Sequence, residues 1–136
     1  MSYKNCILKR ESYDCSTNEK DSTIFVGKLV KEDIELKELS YAFKIEDSLM
    51  RMFVKQDGNK VIINQEFQSG SSSMILELNK KHIYTMKLQT GHTLNFLILA
   101  NLINFGNGNI SFKYQLIDKL KDEVISLNEI TIKEEN

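Results

Sequence analysis

Few residues in this chain have chemical reach. His82 and His92 are its two histidines, and they flank one stretch patterned as a strand. As metal ligands they would need further partners, for which Cys6, Glu77 and Glu66 are the candidates, because a tetrahedral zinc takes four donors. No His-x-x-x-His pair sets two ligands on one helix face. Two surface histidines at strand ends is the preferred reading, and no metal is expected. Cys6 and Cys15 lie nine apart. As a nucleophile either would need a histidine beside it and a third group to orient that histidine. As a disulfide they would need an oxidising compartment. Two reduced thiols is the simpler reading. Ser69 to Ser73 contains no Gly-x-Ser-x-Gly elbow. Gly106-Asn107-Gly108 lacks the third glycine and the following helix of a dinucleotide loop. Lys80-Lys81-His82 is a small basic patch without the aromatic neighbours that stack single-stranded nucleic acid. An enzyme using His82 or His92 as general base ranks last, since no acid–base pair sits at a fixed spacing. No catalytic residue and no cofactor is assigned.

The aromatic and methionine side chains hold more interest. Tyr41, Phe43, Tyr84, Met86, Phe96, Phe112 and Tyr114 fall at alternating positions of separate strand-like segments, and they are the candidate lining of a barrel. A barrel of about eight strands has an interior just wide enough to be filled by side chains or to hold one small ligand. Bulky residues favour filling, while methionines such as Met50 and Met52 adapt to irregular pockets.

These side chains need strands to position them. The run Thr93–Phe105 is the most apolar of the chain, and with Gly106–Asn109 and the alternating Ile110–Leu116 it reads as strand, reversal and strand. Its Leu94, Phe96, Ile98, Ala100 and Leu102 form one apolar face, and Leu97, Leu99 and Ile103 share the other with Asn95 and Asn101. Residues 5–13 form a first strand, 14–22 a polar loop, and 23–30 a second strand in which Gly27 predicts a bend or bulge. Residues 31–50 carry helix formers. Strict alternation of Leu39, Tyr41, Phe43 and Ile45 nevertheless favours a strand over a helix. Asp57-Gly58 predicts a type I′ hairpin between 48–55 and 60–67. Gln68–Ser73 reads as a flexible connection, and strands follow at 74–78 and 82–89. The last strand, 123–133, changes parity between Ile125 and Leu127 on one side and Ile130 and Ile132 on the other. A bulge near Asn128 or Glu129 would reconcile the two. Nine or ten short strands joined by hairpins predict an all-β antiparallel fold, up-and-down in order and closed into a barrel of eight to ten strands.

Residues 1–136 are the usual length of one domain. An apolar share of 41% and a charged share of 27% are ordinary for a globular protein, and the net charge of −1 gives no field toward nucleic acid or an anionic membrane. The N-terminal residues have no apolar stretch of signal-peptide length. The 93–105 run falls short of the ~20 residues of a membrane helix. The expectation is a cytoplasmic soluble protein, monomer or homodimer, with no nucleic-acid or membrane partner.

Met74–His82, Thr90-Gly91, Tyr114–Leu116 and Ile125–Ile132, together with Leu39-Ser40-Tyr41 and the Asp57-Gly58 hairpin, resemble the YwiB-like family of bacterial proteins, a domain of unknown function. The resemblance spans residues 5–133 and implies a calycin-like, lipocalin-shaped barrel. It implies no activity. In the family pattern acidic residues follow the tyrosine of the third strand, whereas here Tyr41 is followed by Ala42 and Phe43. The turn at Gly91 also lacks the proline common in that family, and no acidic site is carried over.

Two functional readings follow. The first is a barrel taking a small apolar ligand at its open end. The second is an interaction domain using an outer sheet face, with Leu97, Leu99 and Ile103 as contact.

Overall fold

The computed structural model describes residues 3–106 and 108–135. It contains ten strands and, among the described residues, no helix. They are β1 (Lys4–Asp14), β2 (Glu19–Asp33), β3 (Glu38–Ile45), β4 (Ser48–Asp57), β5 (Lys60–Phe67), β6 (Gly70–Glu77), β7 (Lys81–Leu88), β8 (Thr93–Phe105), β9 (Asn109–Ile117) and β10 (Val124–Glu134). Each pairs antiparallel with the next, and β1 pairs with β10, so the sheet closes into an up-and-down barrel. One end carries the turns after β2, β4, β6 and β8, the start of β1 and the end of β10. We call it the terminal end and the opposite one the far end.

The apolar core is a single cluster inside the barrel. Phe43, Met50, Met52, Val54, Ile63, Met74, Leu76, Ile98, Phe112, Ile130 and Ile132 are fully buried there. They come from alternate positions of seven strands, as a wall with one buried face requires. Burial of each large side chain contributes about 1.5–3 kcal/mol, so the packed middle is the main source of stability.

The strand reading of 31–50 holds: β3 and β4 fill its second half, and the helical phasing has no counterpart. The 14–22 loop shrinks to the four residues between Asp14 and Glu19, because β1 and β2 stay paired to that point. Gln68–Ser73 is not a flexible connection. Only Gln68 and Ser69 turn, while Gly70 to Ser73 pair with β5 on one side and β7 on the other. Pairing on both edges overrides a composition that reads as loop. At Asp57-Gly58, Asp57 pairs with Lys60 and the turn is Gly58-Asn59. Gly58 alone of that pair has positive φ, +62°, which is the pattern of a type II′ turn and not the type I′ expected. Asn107, half of the predicted Asn107-Gly108 turn, lies outside the described residues, but Phe105 and Ile110 pair across the reversal. Glu134, read as part of a polar tail, is the last residue of β10.

Three bulges set which side chains face inward. Val30 is the extra residue of β2 against β3, Asn101 of β8 against β9, and Ile125 of β10 against β9. The bulge in β10 therefore lies at Ile125 and not at Asn128 or Glu129. Ser126, Asn128, Ile130 and Ile132 keep one parity and face inward, while Leu127 is exposed. The polar pair is tolerated because Asn128 Nδ2 donates to Ser126 Oγ at 2.9 Å. The bulge at Asn101 turns Ile103 and Phe105 inward against the core and puts Leu102 on the outside, reversing the two faces expected beyond Ala100.

Gly27 is not itself bulged. It sits between β1 and β3, where a Cβ would run into the Ala42 carbonyl and the Phe43 ring. The Gly27→Ala variant is therefore expected to lose about 1–3 kcal/mol of stability through overpacking. Chemical denaturation of the two proteins reads this directly, and equal midpoints would show that β3 yields without cost.

Candidate functional site

Concave regions lie at the terminal end, on the outer wall and at the β9–β10 loop. The terminal-end mouth encloses about 370 Å³. Its floor is apolar, made by Leu39 and Tyr41 of β3, Phe105 of β8 and Ile110 of β9. Beneath the floor, the Tyr41 ring stacks on Phe43 at 5.7 Å, and Phe105 meets Phe112 edge-on at 5.7 Å. These two aromatic pairs separate the mouth from the packed middle.

The turn Ile34–Lys37 forms one side of the mouth. Asp33 Oδ1 accepts from the Leu36 amide at 3.0 Å, an Asx-type turn. The Gln56 amide donates to the Lys37 carbonyl at 3.0 Å and ties the turn to β4. Lys37 has φ of +54°. The rim adds Glu32, Glu38, Lys4 and Glu134, with Lys4 Nζ and Glu134 Oε2 3.6 Å apart.

Tyr41 is 3% exposed. Burial pushes its ionisation well above the usual phenol range, and the negative charges that Cys6, Glu134 and Glu32 can carry add to the shift. Tyr114, in the far half of the barrel, is pushed up to about 12 by burial, against the pull of the Arg10 guanidinium.

The other aromatic candidates lie deeper or further round. Phe43 and Phe112 are fully buried plugs. Tyr84 and Phe96 pair across β7 and β8 with rings 6.1 Å apart, and Met86 is half-buried beside them. Of the seven aromatic and methionine positions, only Tyr41 reaches the mouth.

A second polar cluster occupies the β6–β7 turn at the terminal end. Regular pairing of β6 with β7 stops at Ser73 and Thr85. Beyond it, Leu78 bridges to Ala100, and the Asn79 amide donates to the Ala100 carbonyl at 3.1 Å. In this opening His82 Nε2 donates to Glu77 Oε1 at 2.9 Å, and Lys80 Nζ lies 3.1 Å from Glu77 Oε2. The proton sits on Nε2 because an ionised carboxylate only accepts. Sequence had named Glu77 as a possible partner of the histidines. The fold brings it to His82 alone, since His92 lies at the opposite end of β7, against Thr90 Oγ1 at 3.0 Å. Glu66 is exposed on β5 and Cys6 is buried in the core. Among the described residues no three His, Cys, Asp or Glu side chains gather as a metal site. Both cysteines are free, and burial raises the Cys6 thiol above its ordinary value, which disfavours the thiolate a nucleophile needs. Lys81 pairs with Asp122 at 2.8 Å, so two of the three residues in the basic patch are engaged by carboxylates through Lys80 and His82, and the third through Lys81.

These features define a class: a closed, ten-stranded, antiparallel up-and-down barrel with a plugged middle and one recessed end. Among solved structures, the crystal structure of the ywiB protein from Bacillus subtilis shares this fold, with a TM-score of 0.66 over 98% of this chain and 94% of that one. The two are 16% identical, so the likeness speaks for the fold, and it is the fold of the group that the sequence resembles. No protein-family model and no curated protein matches the chain. No helix of the described residues is long and apolar enough to cross a membrane.

The hydrogen bonds from His82 and then Lys80 hold the Glu77 carboxyl below its ordinary value. A carboxylate depressed in the folded state contributes stability above its unfolded pKa and loses it as pH falls through the folded one. The melting temperature is therefore expected to drop more steeply below about pH 4.3 in the native chain than in Glu77→Gln. Parallel slopes for the two proteins would show that the pair is not coupled to folding.

Proposed function

We propose that the chain is a small-molecule-binding barrel whose site is the terminal-end mouth, with Tyr41 and Phe105 as its aromatic contacts and Phe43 and Phe112 as the support behind them. One observation carries the reading. A recess of about 370 Å³ with an apolar floor stays open above a fully packed middle, and that size falls within the usual range of small-molecule sites. A lipocalin-like barrel holds its ligand inside the cup. Here the aromatic plugs move the available space up to the rim. Tyr84, Met86, Phe96, Phe112 and Tyr114 then support the wall and make no contact with ligand. Free cysteines and an outer wall bearing charges such as Lys9, Arg51, Lys55, Lys87 and Lys113 favour an aqueous, reducing compartment such as the cytoplasm. That wall is the inverse of the apolar belt of a membrane barrel.

The test uses hexanol as probe on the full chain, followed by amide chemical shifts. Shifts confined to residues 32–41, 105–110 and 134 are expected, and Leu39→Trp, which fills the mouth, should abolish them while leaving the remaining spectrum folded. Shifts that survive this variant would overturn the site.

A second reading draws on a different observation. Leu97 and Leu99 are half-buried on the outer wall, and Ile83, Leu102 and Leu127 beside them are exposed. Ile103, earlier a member of this patch, points into the core instead. An apolar stripe of this kind suits a protein contact. If it is one between two copies, sedimentation should show a dimer that Leu99→Lys with Leu127→Lys converts to monomer. A native chain that sediments as a monomer at every concentration removes the reading.

A further inference from the structure

We propose that the mouth selects a small organic cation, a protonated amine on a short apolar body. This deepens the ligand-binding reading above and rests on it. The rim carries four carboxylates, of Glu32, Asp33, Glu38 and Glu134, against the ammonium groups of Lys4 and Lys37. Asp33 is occupied by the Leu36 amide. Among the described residues Glu32 and Glu38 have no ion-pair partner, and the Lys4 contact to Glu134 is long and solvent-exposed, hence weak and displaceable.

The direction of these groups matters more than their number. Glu134 pairs with Cys6, which is fully buried on the inner face, so Glu134 rises from that same face. Glu32 pairs with Leu39, which packs on the core, and so does the same from β2. It does so because of the bulge at Val30. Without that extra residue its side chain would project outward, and re-aiming a side chain is a known use of such bulges. Tyr41, 3% exposed, lines the same mouth, close enough to Glu32 and Glu134 for their charges to act on its phenol. An ammonium fits all three, donating to both carboxylates and to the phenol oxygen, while its hydrocarbon lies on Leu39, Phe105 and Ile110. A metal ion fits less well, because no three acidic or histidine ligands converge among the described residues.

Hexylamine, hexanol and hexanoate share one chain and differ in the head group, so they separate charge from shape. Titrated into the full protein at neutral pH and read by calorimetry and amide shifts, hexylamine is expected to bind at the mouth about tenfold more tightly than hexanol, the scale of a charge-assisted hydrogen bond. Hexanoate is expected to bind weakest. Added salt should narrow the gap. Glu32→Gln, an exposed change that leaves the core untouched, should erase the preference for the amine, and Tyr41→Phe should reduce it. Equal binding of all three, tighter binding of hexanoate, or a preference that survives Glu32→Gln would overturn the cation assignment and leave the mouth as a binding site. Absence of mouth shifts with every probe would overturn both.

Discussion

The pairing of β1 with β10 is the contact on which the rest of the molecule depends. Nine residue pairs, from Cys6 with Glu134 to Asp14 with Ser126, join the two ends of the chain. Without them β1 and β10 would present two long unpaired edges, and the chain has no proline to blunt either. Closure satisfies those backbone groups and also defines an inside. Leu8, Ile130 and Ile132 belong to the core only because their strands meet.

Closure fixes the circumference, and the side chains then decide what remains of the interior. Phenylalanine, methionine and isoleucine from alternate positions fill the middle. The wall is not uniform. Pairing lapses between β6 and β7, where the Glu77–His82–Lys80 cluster and a bridge to β8 take over. At the terminal end the Ile34–Lys37 turn, the β8–β9 reversal and the last residue of β10 stand around a recess that the core does not reach. Binding chemistry in this fold thus belongs to the rim, where loops and bulges place polar groups over an apolar floor.

Much of the architecture was legible because one wall face is buried and strands alternate. Tyr41, Phe43, Phe112 and Tyr114, expected on alternation to line a barrel, are buried inside it. The misread places share one cause. A bulge costs a single residue and leaves little mark on composition, yet it inverts every side chain beyond it. Ile103 and Leu102 exchanged sides at Asn101 in this way. At β10 the error ran the other way: Ser126 and Asn128 face inward as a hydrogen-bonded pair, so polarity suggested a bulge where the backbone is regular. The serine-rich segment after Phe67 read as loop for a similar reason, since strand pairing on both edges outweighs weak local preference.

The candidate site was less legible. Its one recognised member, Tyr41, was visible from alternation alone. Glu32, Glu134, Phe105 and the Ile34–Lys37 turn were not, because they lie far apart in the chain and meet only at the rim. The sequence by itself determined that the chain forms strands, roughly how many, and which residues are apolar enough to fill a barrel, since these follow from local period and turn chemistry. Only the tertiary structure decided which strand closes on which, where the bulges fall, and that two distant carboxylates face one buried phenol. Those depend on pairings across the whole chain, which no local window of residues encodes.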